Sequence, residues 1–133
     1  DVKIVPSGEE GIAQLKALLG LEELITNVNM PNVGQIPNLP LGQVVETNAL
    51  FRRDYVHPIF AGPLPEFPLS ITLHHVHTHQ ALIKAFDHKD LSYAKKALHQ
   101  DPSVSHLPAK ESDAMFNEIA SKMKPYLDYY KGL

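Results

Sequence analysis

The chain has no cysteine and no tryptophan among its 133 residues. Without thiols no disulfide can staple a fold this small, so a hydrophobic core must hold it; the composition suits a reducing compartment, and a cytoplasmic protein is expected. Excess charge of one sign is also missing. Lys and Arg number 12 against 15 Asp and Glu, for a net charge of −3, which gives nucleic acid or an anionic membrane no electrostatic hold. No apolar run nears the roughly 20 residues that span a bilayer, and no basic-then-apolar leader marks export. Two further absences concern chemistry. Gly8, Gly11, Gly34 and Gly42 do not gather into a phosphate-cradling turn, and Ser70 and Ser92 lack the context of an activated nucleophile. The chain opens on Asp1-Val2-Lys3 rather than Met, and is expected to be a piece of a longer polypeptide.

What is present is ordinary for a globular protein: 44% apolar and 20% charged residues, enough for one modest core. A single domain over 1–133 is expected, with a helix and small sheet over 1–62 and a helical remainder over 63–133. Ser7-Gly8-Glu9-Glu10 reads as a capping box, in which Ser7 accepts from the Glu10 N–H and Glu10 reaches back. Ile12, Leu15 and Leu19 then recur at helical spacing, and Gly20 suits a left-handed stop. Leu24, Thr26, Val28 and Met30 alternate with Ile25, Asn27 and Asn29, a strand with one mostly polar face. Prolines and glycines make a loop of Pro31 to Gly42. A second alternating strand runs from Gln43 to Phe51, and Arg52-Arg53-Asp54 turns it into a third from Tyr55 to Ile59. Beyond Pro63, Pro65 and Pro68 the periods become helical. Leu69, Leu73, Val76 and Ile83 mark one helix, Asp90 caps a second ended by Asp101-Pro102, and Met115, Ile119 and Met123 mark a third. The class is α+β: a small antiparallel sheet packed by helices, with a helical C-terminal half.

Candidate site residues are few. His74-His75-Val76-His77-Thr78-His79 would place His75 and His79 on one helical face, a spacing that suits a shared zinc ion. The run lacks the Glu of zinc proteases and a third ligand, so polar helix surface is the favoured reading and no metal site is assigned. His57 beside Pro58 reads as a strand-end residue. Glu46, a carboxylate within a strand, calls for a partner such as Arg52 or Arg53. Asn27, Asn29, Asn32 and Asn38 fit either turn-capping amides or ligand contacts. No complete catalytic set is legible.

The segment Val28-Asn29-Met30-Pro31-Asn32-Val33-Gly34-Gln35-Ile36-Pro37-Asn38-Leu39-Pro40, followed by Val44-Val45-Glu46, resembles the C-terminal region of glycoside hydrolase family 4. That family runs V-N-x-P-N-x-G-x-I-x-N-L-P, then V-V-E and an apolar strand. Ser7-Gly8-Glu9, His57-Pro58 with Gly62 to Pro65, and Ala97-Leu98 with Asp101-Pro102 extend the likeness in the family's order over most of the chain. The resemblance implies an NAD- and manganese-dependent glycosidase that departs from the two-carboxylate scheme. NAD would take a hydride from C3 of the sugar, a base would remove the acidified C2 proton, and the aglycone would leave by elimination. Water would then add and the hydride return, with the divalent ion polarising the sugar oxygens.

In the family the metal is held by a Cys and a His, and the nucleotide by a glycine-rich Rossmann turn. This chain has neither, so the resemblance places NAD, Mn2+ and every catalytic residue in an N-terminal Rossmann half, and an isolated chain without activity is expected. Kinship with the C-terminal domains of lactate and malate dehydrogenases implies that Ser7, Gly8 and Glu9 lie nearest the nicotinamide and sugar. Asn29, Asn32 and Asn38 are the substrate-side candidates. The wording of the loop and second strand resembles the α-galacturonidase and α-glucosidase-like branch. A homo-oligomer is expected, to hide the face that meets the absent half. The competing expectation is a stand-alone carbohydrate- or protein-binding domain without catalysis.

Overall fold

The computed structural model describes Lys3 and residues 8–132, and the chain divides into two compact units, Asp1–Pro65 and Glu66–Leu133. In the first, helix α1 (Gly11–Leu18) precedes strands β1 (Leu24–Pro31), β2 (Val44–Arg52) and β3 (Tyr55–Pro58). The strands form an antiparallel sheet in the order β1-β2-β3. This is the α+β arrangement expected, with strand limits within a residue of those read from the alternation.

The period of two sorts each strand into faces. Thr26 on β1 and Val45, Thr47, Ala49 and Phe51 on β2 are buried, and Leu24, Val28, Met30 and Val56 pack against the same cluster. Ala17 of α1 joins Ala49 and Phe51 at its centre. Both alanines have 0% exposure, so the helix lies close to the sheet at its smallest side chains. Leu18 packs against the cluster too, but the other large apolar residues are turned the other way. At 100° per residue Ile12, Leu15 and Leu19 fall opposite Ala17, and they are 67%, 57% and 65% exposed.

The start of α1 also departs from expectation. It begins at Gly11 behind Glu10 with no side-chain cap, and Ser7, the proposed cap, lies outside the described residues. Its end is as read. Gly20 has φ +75°, its N–H donates to the Ala17 carbonyl, and that of Leu21 donates to Lys16, both at 2.9 Å. These are the paired bonds of a Schellman motif, which satisfies the carbonyls left open at a helix end. The β2–β3 turn is fastened here too, since the Asp54 N–H donates to the Leu18 carbonyl at 3.1 Å.

The second unit holds α2 (Glu66–His88), α3 (Leu91–Gln100), α4 (Ala109–Lys122) and the short α5 (Lys124–Leu127). Asp90 caps α3 as expected, accepting the Ser92 N–H at 2.9 Å. The bond it receives from Ser92 holds its carboxyl below the usual value. Lys95 and His99 of α3 both reach Asp113 of α4, at 2.8 and 2.9 Å. α2 buries Val76, Thr78 and Ala85, while Ile83 of the expected stripe is exposed. α4 likewise buries Ser112 and Ala120 and leaves Ile119 and Met123 outward. Helices that approach through small residues carry their large ones elsewhere. No helix among the described residues is long and apolar enough to cross a membrane.

Gly20→Ala is expected to cost about 1–2 kcal/mol from the left-handed backbone alone, and more because the new Cβ would lie 2.5 Å from Arg53 Nε; urea unfolding checks this. Asp90→Ala should destabilise α3 at neutral pH. Because the folded pKa is lowered, that difference is full above the ordinary value of 3.8 and should vanish as pH falls through the lowered one, which acid titration followed by circular dichroism would read.

Candidate functional site

The loop that joins β1 to β2 is organised by one amide. Asn32 has no exposure. Its Nδ2 donates to the carbonyls of Ile36, Leu39 and Pro40 at 2.9, 3.0 and 3.2 Å, and its Oδ1 accepts the N–H groups of Gly34 and Ile36, both at 3.2 Å. Its backbone extends the ladder, with the Asn32 N–H donating to Gln43 and the Gly42 N–H to Asn32. Gln35, also buried, donates to the Pro31 carbonyl and accepts from the Val33 N–H. Asn38 secures the far side, giving its Nδ2 to the Leu64 carbonyl at 2.8 Å and accepting the Leu64 N–H at 2.9 Å. Asn32 and Asn38 therefore act on the backbone, which is the turn-capping member of the pair of readings the sequence left open. Asn29 alone of the three substrate-side candidates is exposed, directly opposite Glu46 across β1 and β2.

Glu46 lacks the partner the sequence called for. Arg52 pairs with Glu23 at 2.9 Å and Arg53 donates to the Leu19 carbonyl. Burial was the reason for expecting an ion pair, and Glu46 sits on the exposed face, where water solvates it. His57 stacks on Tyr55, ring centroids 5.5 Å apart. His74 contacts the Gln100 carbonyl, and His75, His77 and His79 are exposed on α2. Among the described residues no three His, Cys, Asp or Glu side chains gather as metal ligands.

Gly8 and Glu9 lie where the structure opens a shallow concavity of about 510 Å³ at the N-terminal end of α1, lined also by Glu10, Gly11, Gln14, Thr26 and Asn27. Ser7 is outside the described residues. The concavity brings carboxylates and amides from a helix and a strand to one place, a set suited to hydroxyl groups that both donate and accept. Gln14 was not singled out in the sequence; its signal is a polar residue on the sheet-facing side of α1, between Ala13 and Ala17.

Residues 2–104 match the model of the family 4 glycosyl hydrolase C-terminal domain. An alpha-galacturonidase of Thermoanaerobacterium saccharolyticum is 44% identical over 125 residues, 94% of this chain and 27% of that protein. Among solved structures, a candidate glucosidase from Bacillus subtilis superposes with a TM-score of 0.81 at 42% identity, covering 85% of this chain and 26% of that one. The 6-phospho-beta glucosidase of Thermotoga maritima, solved with manganese, NAD+ and glucose-6-phosphate, gives 0.75 at 26% identity over 86% of this chain and 29% of that one. The chain thus spans about a quarter of the length of the curated relatives it matches.

Asn32→Ala is expected to destabilise the first unit by about 3 kcal/mol, since it strands buried backbone groups without partners. Asn38→Ala, half-buried, should cost about 1 kcal/mol. Urea midpoints at constant slope would verify the order.

Proposed function

The chain belongs to glycosyl hydrolase family 4, as its C-terminal domain, and from that premise we propose that it forms the sugar-side wall of an NAD- and manganese-dependent α-galacturonidase. The concavity at the start of α1 carries the reading. Glu9, Glu10, Gln14 and Asn27 line it, so carboxylate acceptors and amide donors meet where a polyhydroxylated ring would be oriented. The galacturonide is taken from the name of the Thermoanaerobacterium relative.

NAD+ and manganese accompany the Thermotoga enzyme, but the described residues of this chain fit neither. Among them no metal-ligand trio converges, and no glycine-rich strand-to-helix turn is present for a nucleotide. Redox and Lewis-acid chemistry are therefore assigned to an N-terminal nucleotide-binding half. The residues here bind the sugar, orient it and exclude water from one side.

Several outward apolar residues suit this division. Ile12, Leu15, Leu19 and Leu21 stand exposed around α1, as a surface does when something covers it. That cover is assigned to the N-terminal half and to further copies in a homo-oligomer, in the cytoplasm.

The full-length enzyme is expected to cleave an aryl α-galacturonide only with NAD+ and Mn2+ present, and EDTA should abolish turnover. Glu9→Gln should raise KM about tenfold, roughly 1.4 kcal/mol, with kcat within about twofold, as loss of a binding contact does. The isolated 133-residue chain should show no turnover. Failure of the full-length protein to act on the galacturonide, or turnover by the isolated chain, would contradict the reading.

A further inference from the structure

The outer face of the sheet has a composition that solvation alone does not account for. Its cross-strand neighbours are Arg52 with Tyr55, Leu50 with Ile25 and His57, Asn48 with Asn27, and Glu46 with Asn29. All but Leu50 are exposed, Ile25 to 60% and Tyr55 to 46%. Asn is a poor strand former that prefers turns, where its amide can bond the backbone. Three of them stand in consecutive rungs of β1 and β2 on one face, and among the described residues none makes a side-chain hydrogen bond there. Thr or Lys would serve a merely wetted strand better.

The face has two chemically different ends. At one, the Tyr55 and His57 rings stack with centroids 5.5 Å apart and planes 16° from parallel, and Arg52 is the cross-strand partner of Tyr55. Arg52 meets Glu23 through Nε and Nη2 at 2.9 and 3.2 Å, and its remaining N–H donors stay available on a side chain 52% exposed. At the other end, amides and the Glu46 carboxylate offer both donors and acceptors. An aromatic surface bordered by such groups matches a pyranose, whose C–H side is apolar and whose rim is hydroxylated. A cation at the aromatic end matches a carboxylate on that ring.

We propose that this face binds a uronide residue of an oligosaccharide, its ring on Tyr55 and His57, its carboxylate toward Arg52 and its hydroxyls toward Asn48, Asn29 and Glu46. Asn27 also borders the concavity, at the edge strand β1, and this face would hold the chain beyond the sugar being cleaved. The choice of a uronide over a neutral sugar rests on the galacturonidase reading above.

The test follows the Ile25 side-chain methyls by NMR in the full-length protein, titrated with trigalacturonate and, in parallel, with neutral galactotriose. Trigalacturonate should move the Ile25 signals saturably, and galactotriose should leave them at least tenfold less responsive. Tyr55→Ala and Arg52→Gln should each abolish the trigalacturonate shift while the Phe51 and Ala49 core resonances stay in place, which shows that the sheet remains folded. Ile25 signals that do not move, that move equally with both sugars, or that still titrate in Tyr55→Ala would overturn the proposal. Failure of the galacturonidase reading appears separately, as a full-length enzyme that binds trigalacturonate at Ile25 but cleaves no galacturonide.

Discussion

The five hydrogen bonds of the Asn32 side chain are the constraint on which the first unit depends. A loop rich in proline cannot supply its own ladder, because each proline removes a donor and leaves carbonyls with nothing to accept from. Asn32 replaces that ladder. One buried amide satisfies three carbonyls and two N–H groups, and so converts a twelve-residue excursion, Pro31 to Gly42, into a rigid link with a single shape. The register of β1 against β2 follows from that shape, since the Asn32 N–H and carbonyl carry on the strand pairing to Gln43 and Gly42. A one-residue slip would carry Thr47 and Ala49 out of the core and Glu46 into it.

Much of this was legible. The alternation of Val45, Thr47 and Ala49 with Val44, Glu46 and Asn48 gave both the strand and its faces, because period two admits one solution once one side is buried. Gly20 and Asp90 announced a helix end and a helix start through backbone chemistry that few other residues provide. Burial within helices was not legible. Ile12, Leu15 and Leu19 form an apolar stripe, and the usual inference points it at the core; α1 instead closes through Ala17 and Leu18, and the stripe faces out. Periodicity reports that a face will be covered, not by what, and for a chain that is one part of a larger protein the cover can lie elsewhere. Ile119 and Met123 of α4 repeat the lesson.

The candidate site was partly legible for a related reason. The resemblance singled out Gly8 and Glu9, and the concavity gathers both with Gln14 and Asn27. Gln14 carries only a faint mark, a polar residue between Ala13 and Ala17, and its place in the concavity comes from the packing of α1 across β1. Asn32 and Asn38 look alike in sequence to Asn29, yet two bind backbone and one faces solvent, a distinction set by burial. Glu46 shows the converse: its solvated face removes the need for a counter-ion.

The division of labour proposed above has this domain contribute shape and polar contacts and leave redox chemistry to other polypeptide. A wall of that kind is useful only if it is built before the sugar arrives, since ordering a loop on binding would consume part of the binding free energy. Asn32 provides prior order in the link between β1 and β2, and through their register in the strand that carries Thr26 and Asn27. Hydrogen exchange tests it most directly, by comparing the amides of Gly34 and Ile36, which donate to Asn32 Oδ1, with the ladder amides of β2 and with the Leu41 amide at the exposed end of the loop. Gly34 and Ile36 should exchange slowly, together with β2 as one cooperative unit, if Asn32 orders the loop. Exchange of both at the rate of Leu41 would contradict it.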